Sequence, residues 1–108
     1  MPLTKIKNPR YDNSEIQWDY ERVDLASGDT VVETLPCLVK GVYINEQTSN
    51  HRIEIKDGSA FAYSVPASSP SGQAYDFSTD GVVYDSGIVV SPDPGATGNI
   101  TVVYFVLN

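Results

Sequence analysis

The sequence predicts an all-β protein: an antiparallel β-sandwich, jelly-roll-like in plan, with an extended N-terminal arm. Three observations predict it. Short runs alternate apolar and polar residues with a period of two. The clearest is His51 to Lys56, where Ile53 and Ile55 fall on one face and Arg52, Glu54 and Lys56 on the other. Turn signals made of Gly, Asp, Ser and Pro break the chain roughly every eight to twelve residues. No stretch places apolar residues at a spacing of three to four, so no helix is expected. With 108 residues there is material for a single hydrophobic core. The expected organisation is an arm over residues 1–14 and one sandwich domain over 15–108.

Residues 1–14 contain Pro2, Asn8, Pro9 and Asn13 and have no periodicity, which reads as an extended arm. Ile16, Trp18 and Tyr20 alternate with Glu15, Gln17 and Asp19, a short strand with a bulky apolar face. Val23 and Leu25 continue the extended pattern until Ser27-Gly28-Asp29 turns the chain. Thr30 to Leu35 is a further strand, ended by Pro36. Leu38 to Asn45 is β-branched and aromatic, and the polar stretch Glu46 to Asn50 joins it to the run at 51–56. Two such runs across a short polar loop read as a hairpin.

Asp57-Gly58-Ser59 closes that pair, and Phe61, Tyr63 and Val65 alternate with Ala62 and Ser64 as the next strand. Residues 66–73, rich in Pro, Ser, Ala and Gly, form a surface connection without core-forming residues. Brief strands follow at Tyr75–Phe77, Val82–Tyr84 and Ile88–Val90. Ser91 to Asn99 holds two prolines and two glycines and reads as a loop. The last strand, Ile100 to Leu107, is apolar on both faces. Val102, Tyr104 and Val106 fill one face, and Val103, Phe105 and Leu107 the other. A sandwich has one interior, so the second face needs a cover: another subunit, or the Ile16–Tyr20 strand folded over it.

Charge narrows the partners. Fourteen acids against seven bases give a net charge of -7. That balance disfavours nucleic acid and anionic membrane. Lys5, Lys7 and Arg10 stand in the first eleven residues with no acid among them, whereas 57–108 carry five Asp and no Lys or Arg. A basic arm ahead of an acidic body suits docking onto an acidic partner. No apolar stretch is long enough to span a membrane, and the first residues lack the apolar run of a signal peptide. Cys37 is the single cysteine, expected as a buried, inert thiol in a reducing compartment.

Chemistry is sparse. The one histidine, His51, fits packing at a sandwich edge better than catalysis, and one His with one Cys cannot build a zinc site. Asp76, Asp80 and Asp85 are close enough in sequence to be weighed as calcium ligands. Asp in turns ordinarily serves a backbone-mimicking hydrogen bond instead. Trp18 and the seven tyrosines could stack on sugars, but they equally suit packing and interfaces. No catalytic residue, cofactor or metal site is assigned.

Four stretches carry a family resemblance: Gly41-Val42-Tyr43-Ile44-Asn45, residues 53–59, Gly81 to Val90 with its paired glycines, and residues 98–104. With them, residues 31–107 resemble the small all-β virion structural proteins of tailed bacteriophages, the capsid decoration, cement or head-fibre class. The resemblance implies a compact sandwich in the virion, often a homotrimer, whose partner is the major capsid protein or another virion protein. The expected partner-binding residues are Lys5, Lys7 and Arg10 of the arm, Trp18, and Val103, Phe105 and Leu107 of the last strand. A carbohydrate-binding module, or a tail or receptor-binding accessory, is the alternative.

Overall fold

The computed structural model describes residues 17–107. The described chain is all-β, with strands β1 (Asp19–Asp24), β2 (Thr30–Glu33), β3 (Cys37–Glu46), β4 (Ile53–Asp57), β5 (Ala60–Val65), β6 (Ala74–Asp76), β7 (Val82–Tyr84), β8 (Ile88–Pro92) and β9 (Asn99–Val106). They form two antiparallel sheets. One runs β1-β9-β3-β6, with β7 beside β6 on the same flank of β3; the other runs β2-β8-β4-β5. The arm expected over 1–14 lies outside the described residues.

The period-two pattern decides what fills the space between the sheets. Val39, Val42, Ile44, Ile100 and Val102 of the first sheet meet Ile53, Ile55, Val65, Ile88 and Val90 of the second in one buried cluster. Each such side chain contributes roughly 1.5–3 kcal/mol by leaving water. Cys37 is buried in the same cluster as a free thiol, and burial, then Glu33 and Asp57, pushes it up to about 11. It is an inert, protonated packing group.

In β3 the inward positions run 37, 39, 42 and 44, which breaks strict alternation by one residue. The register with β9 slips between Val39 and Gly41 to absorb it. Gly41 is required there because a Cβ would run into the carbonyl oxygen of Tyr75 on β6.

The hairpin expected between Leu38–Asn45 and the run at 51–56 does not form. β3 and β4 belong to different sheets, and residues 47–52 cross from one to the other. Both flanks of β3 are taken, one by β9 and the other by β6 and β7, while β4 lies between β8 and β5. The crossing is pinned by Thr48, whose N–H donates to Ser69 O at 3.0 Å and whose Oγ1 accepts from Ser69 N at 2.8 Å. Ser69 is 1% exposed, so the 66–73 connection is anchored inward at that point. The tight hairpin is β4–β5, where Asp57 faces Ala60 across Gly58-Ser59.

Two boundaries also move. The first strand was expected over 16–20 but β1 covers 19–24, because its ladder follows β9 from Asp19↔Tyr104 to Asp24↔Asn99. Asp24 then caps a 3-10 turn at Leu25–Ser27 by accepting the Ala26 N–H at 3.1 Å. β8 continues through Pro92 into the expected loop. Past Val90 it has only β4 beside it, and a strand with an open side tolerates proline.

Candidate functional site

The outer faces of the two sheets both mix polar and apolar residues. Over the second sheet, Arg52, Glu54 and Lys56 form a charged row, with Arg52 2.6 Å and Lys56 3.8 Å from Glu54 carboxylate oxygens. The same face exposes Val31 and Phe61, whose ring centroid lies 5.8 Å from Arg52 Cζ. The outer face of the first sheet is apolar around Trp18 and polar beyond it, where Arg22 and Asn45 donate to Asn99 Oδ1 and Asn45 also donates to Thr101 Oγ1. Its register sets Tyr20 against Val103 and Arg22 against Thr101 on β1 and β9, and Leu38 against both Phe105 and Val83.

Trp18, one residue ahead of β1, straps this face. Its ring meets Phe105 edge-on, with centroids 6.3 Å apart and planes at 74°. Lys40 Nζ stands 5.7 Å from the ring centroid on β3. At the β6–β7 turn, a Cβ on Gly81 would lie 3.3 Å from Trp18 Cη2. One side chain therefore spans from β9 across β3 to the far flank. Around it, Tyr20 is 67%, Val83 51% and Leu107 38% exposed.

The expected partner-binding residues distribute as follows. Lys5, Lys7 and Arg10 lie outside the described residues. Trp18, Val103, Phe105 and Leu107 share the outer face of the first sheet. Val103 is closed off at 2% exposure, Phe105 is half-buried under Trp18, and Leu107 retains surface. The second apolar face of the last strand is thus partly covered within the chain, by the residue next to β1. Tyr20 and Val83 are exposed residues of this face outside the expected partner-binding set. A strand alternation of Trp18 and Tyr20 signals the first, but nothing local marks Val83 as outward.

Elsewhere, side chains hold loops. His51 Nδ1 is 3.1 Å from Ser49 Oγ, which also accepts the Thr97 N–H at 3.1 Å, so the histidine ties two loops at one end of the sandwich. Asp57 accepts the Ser86 N–H at 2.7 Å and the Asp85 N–H at 3.2 Å. Among the described residues, no three His, Cys, Asp or Glu side chains come together in a way that could hold a metal ion; Asp76, Asp80 and Asp85 do not form such a group. Tyr75, half-buried, directs its hydroxyl to Ser69 Oγ at 2.8 Å. Concavities lie among the described residues. One of about 660 Å³ lies between Leu25–Asp29 and the 91–97 segment, and one of about 280 Å³ lies between β5 and the β6–β7 flank. No family model, curated protein or solved structure matches the chain.

Proposed function

We propose that this chain is a structural protein of a tailed-phage virion that decorates or cements the capsid, assembling with copies of itself through the outer face of its first sheet and docking through its N-terminal arm. The observation that carries the reading is the aromatic strap on the outer face of the first sheet. Tyr20, Val83 and Leu107 are exposed around the Trp18–Phe105 pair. An apolar face of this kind costs solubility in an isolated subunit and suits a surface that meets a partner. A homotrimer, with the major capsid protein or another virion protein as its partner, accounts for it. Lys5, Lys7 and Arg10 would add salt-sensitive contacts to an acidic partner surface.

A jelly roll is the finer fold reading. It is supported by the nested pairing β4–β5, β3 with β6 and β7, β2–β8 and β1–β9, which is one long hairpin rolled into two sheets. Compact subunits of that plan are used in virion shells.

Mass spectrometry of purified virions tests the function. The expected result is this chain at a copy number close to that of the major capsid protein, and its absence from the particle would overturn the proposal. The carbohydrate-binding alternative predicts specific glycan-array binding lost on Trp18→Ala or Tyr75→Ala. Trp18 is in contact with Phe105 and Lys40, and the Tyr75 hydroxyl is bonded to Ser69.

A further inference from the structure

We propose that Asp80 is a site of spontaneous isoaspartate formation, and that its conversion loosens the turn on which the Trp18 ring rests. The chain contains two Asp-Gly pairs, Asp57-Gly58 and Asp80-Gly81. Glycine after aspartate leaves the following amide nitrogen open to attack on the aspartate side chain, since no Cβ shields it. The fold treats the two pairs in opposite ways.

Asp57 is locked. It ends β4 and is laddered on both sides, to Ala60 of β5 and to Ile88 of β8. Its carboxylate accepts the Ser86 N–H at 2.7 Å and the Asp85 N–H at 3.2 Å. Gly58 N donates outside its own turn, to Gly87 O at 3.2 Å. Asp80 is exposed in the turn between β6 and β7, outside any ladder. Among the described residues its carboxylate takes part in no hydrogen bond or ion pair. The next amide, Gly81 N, reaches only Ser78 O of the same turn, at 3.3 Å. Exposed turns of this kind open locally at little cost, which lets the main chain rotate into ring-closing geometry.

The chemistry needs water alone. Gly81 N attacks Cγ of the protonated Asp80 carboxyl; the N–Cγ bond forms, the Cγ–OH bond breaks, and the hydroxyl leaves with the amide proton as water. A second water opens the succinimide. Attack at Cγ restores aspartate, whereas attack at the main-chain carbonyl routes the backbone through Cγ, an isoaspartate of unchanged mass. The main chain gains a methylene immediately before Gly81. That glycine is closely backed: a Cβ on it would lie 3.2 Å from Leu38 Cβ and 3.3 Å from Trp18 Cη2. The longer turn therefore presses on, or withdraws from, the Trp18 ring. The proposal does not depend on the virion reading.

The test is prolonged warm incubation of the whole chain, folded and in guanidinium chloride. Isoaspartate is counted by protein isoaspartyl methyltransferase with labelled S-adenosylmethionine and located by electron-transfer fragmentation. The unfolded chain should convert Asp57 and Asp80 at similar rates. In the folded chain Asp80 should keep its unfolded rate, while Asp57, which must release two hydrogen bonds to a charged group, should fall behind by roughly tenfold or more. Asp80→Glu should lose most of the folded chain's methyl acceptance with melting unaltered. Asp80→Asn, which expels ammonia instead of water to reach the same ring, should convert faster. Trp18 is the only tryptophan, and its emission should drift in step with isoaspartate in the wild type and stay fixed in Asp80→Glu. Equal conversion at both sites of the folded chain, or folding that slows Asp80 as much as Asp57, would overturn the proposal. So would undiminished methyl acceptance in Asp80→Glu, and emission that stays constant as isoaspartate accumulates would overturn the link to Trp18.

Discussion

Replacing Trp18 with alanine separates a strap that holds the fold from a residue reserved for a partner. Three contributions are lost. The edge-to-face pair with Phe105 accounts for about 0.5–1.5 kcal/mol and the Lys40 contact for about 0.5–1 kcal/mol. A half-buried indole removes on the order of 100 Å² from water, about 2.5 kcal/mol at 25 cal/mol/Å². These overlap, since Phe105 and the ring share contact area, and the chain ahead of β1 can relax. A net loss of about 2–3 kcal/mol is expected, read as a lower urea midpoint with unchanged slope. For a domain of this size that is a fall in melting temperature of roughly 10–20 °C. A double-mutant cycle with Phe105→Ala should return a coupling of about 0.5–1.5 kcal/mol. Lys40→Ala alone should cost no more than about 1 kcal/mol. If Trp18→Ala melts like the wild type while the oligomer dissociates, the ring belongs to an interface and the strap is wrong.

Alkaline pH should weaken the fold. Tyr84 rises from 10.0 to about 12 and Cys37 from 9.0 to about 11 on folding, both chiefly by burial. Above the unfolded values the unfolded chain loses protons that the folded chain keeps. Stability is therefore full below pH 9 and falls as pH climbs through the folded values, by about 2–3 kcal/mol for each group; Tyr84→Phe should remove its share in urea titrations at successive pH values. Gly87→Ala should cost about 2–4 kcal/mol, because φ is +93° and a Cβ would run into the Glu33 carbonyl, main chain that cannot step aside. Thermal melting checks it, and a variant as stable as wild type would refute the close approach of β2 to the turn before β8. Asp57→Ala should cost about 1–2 kcal/mol through the two amides it leaves without a carboxylate, and Asp57→Asn about half of that.

Much of the architecture is written locally. Ile53 and Ile55, or Val102 and Tyr104, declare their inward face by alternation alone, and the core cluster contains all four. Asp57-Gly58 marks its hairpin because a two-residue loop needs φ above zero at a defined place, and Gly58 has φ +62°. Partner choice between strands is not local. Leu38–Asn45 and the run at 51–56 look like neighbours in a hairpin, yet the decision belongs to β9, more than fifty residues away, which claims the flank of β3. The outer face was half legible. Phe105 and Leu107 stand out because a strand apolar on both sides demands a cover. Val83 does not, since a three-residue strand reading Val-Val-Tyr has no period to show which valine faces out. The role of Lys40 against Trp18 also needs the folded register, because nothing in the two segments refers to the other.

The outer face of the first sheet is proposed as the docking surface between subunits. Its most direct test is multi-angle light scattering of the wild type and of the Tyr20→Asp/Val83→Asp variant at micromolar concentration. Both residues are more than half exposed in the single chain, at 67% and 51%, so charging them should leave melting close to wild type. The expected masses are three times 11.8 kDa for the wild type and 11.8 kDa for a folded variant. A wild type that is itself a single species of 11.8 kDa, or a variant that keeps the wild-type mass, would contradict it.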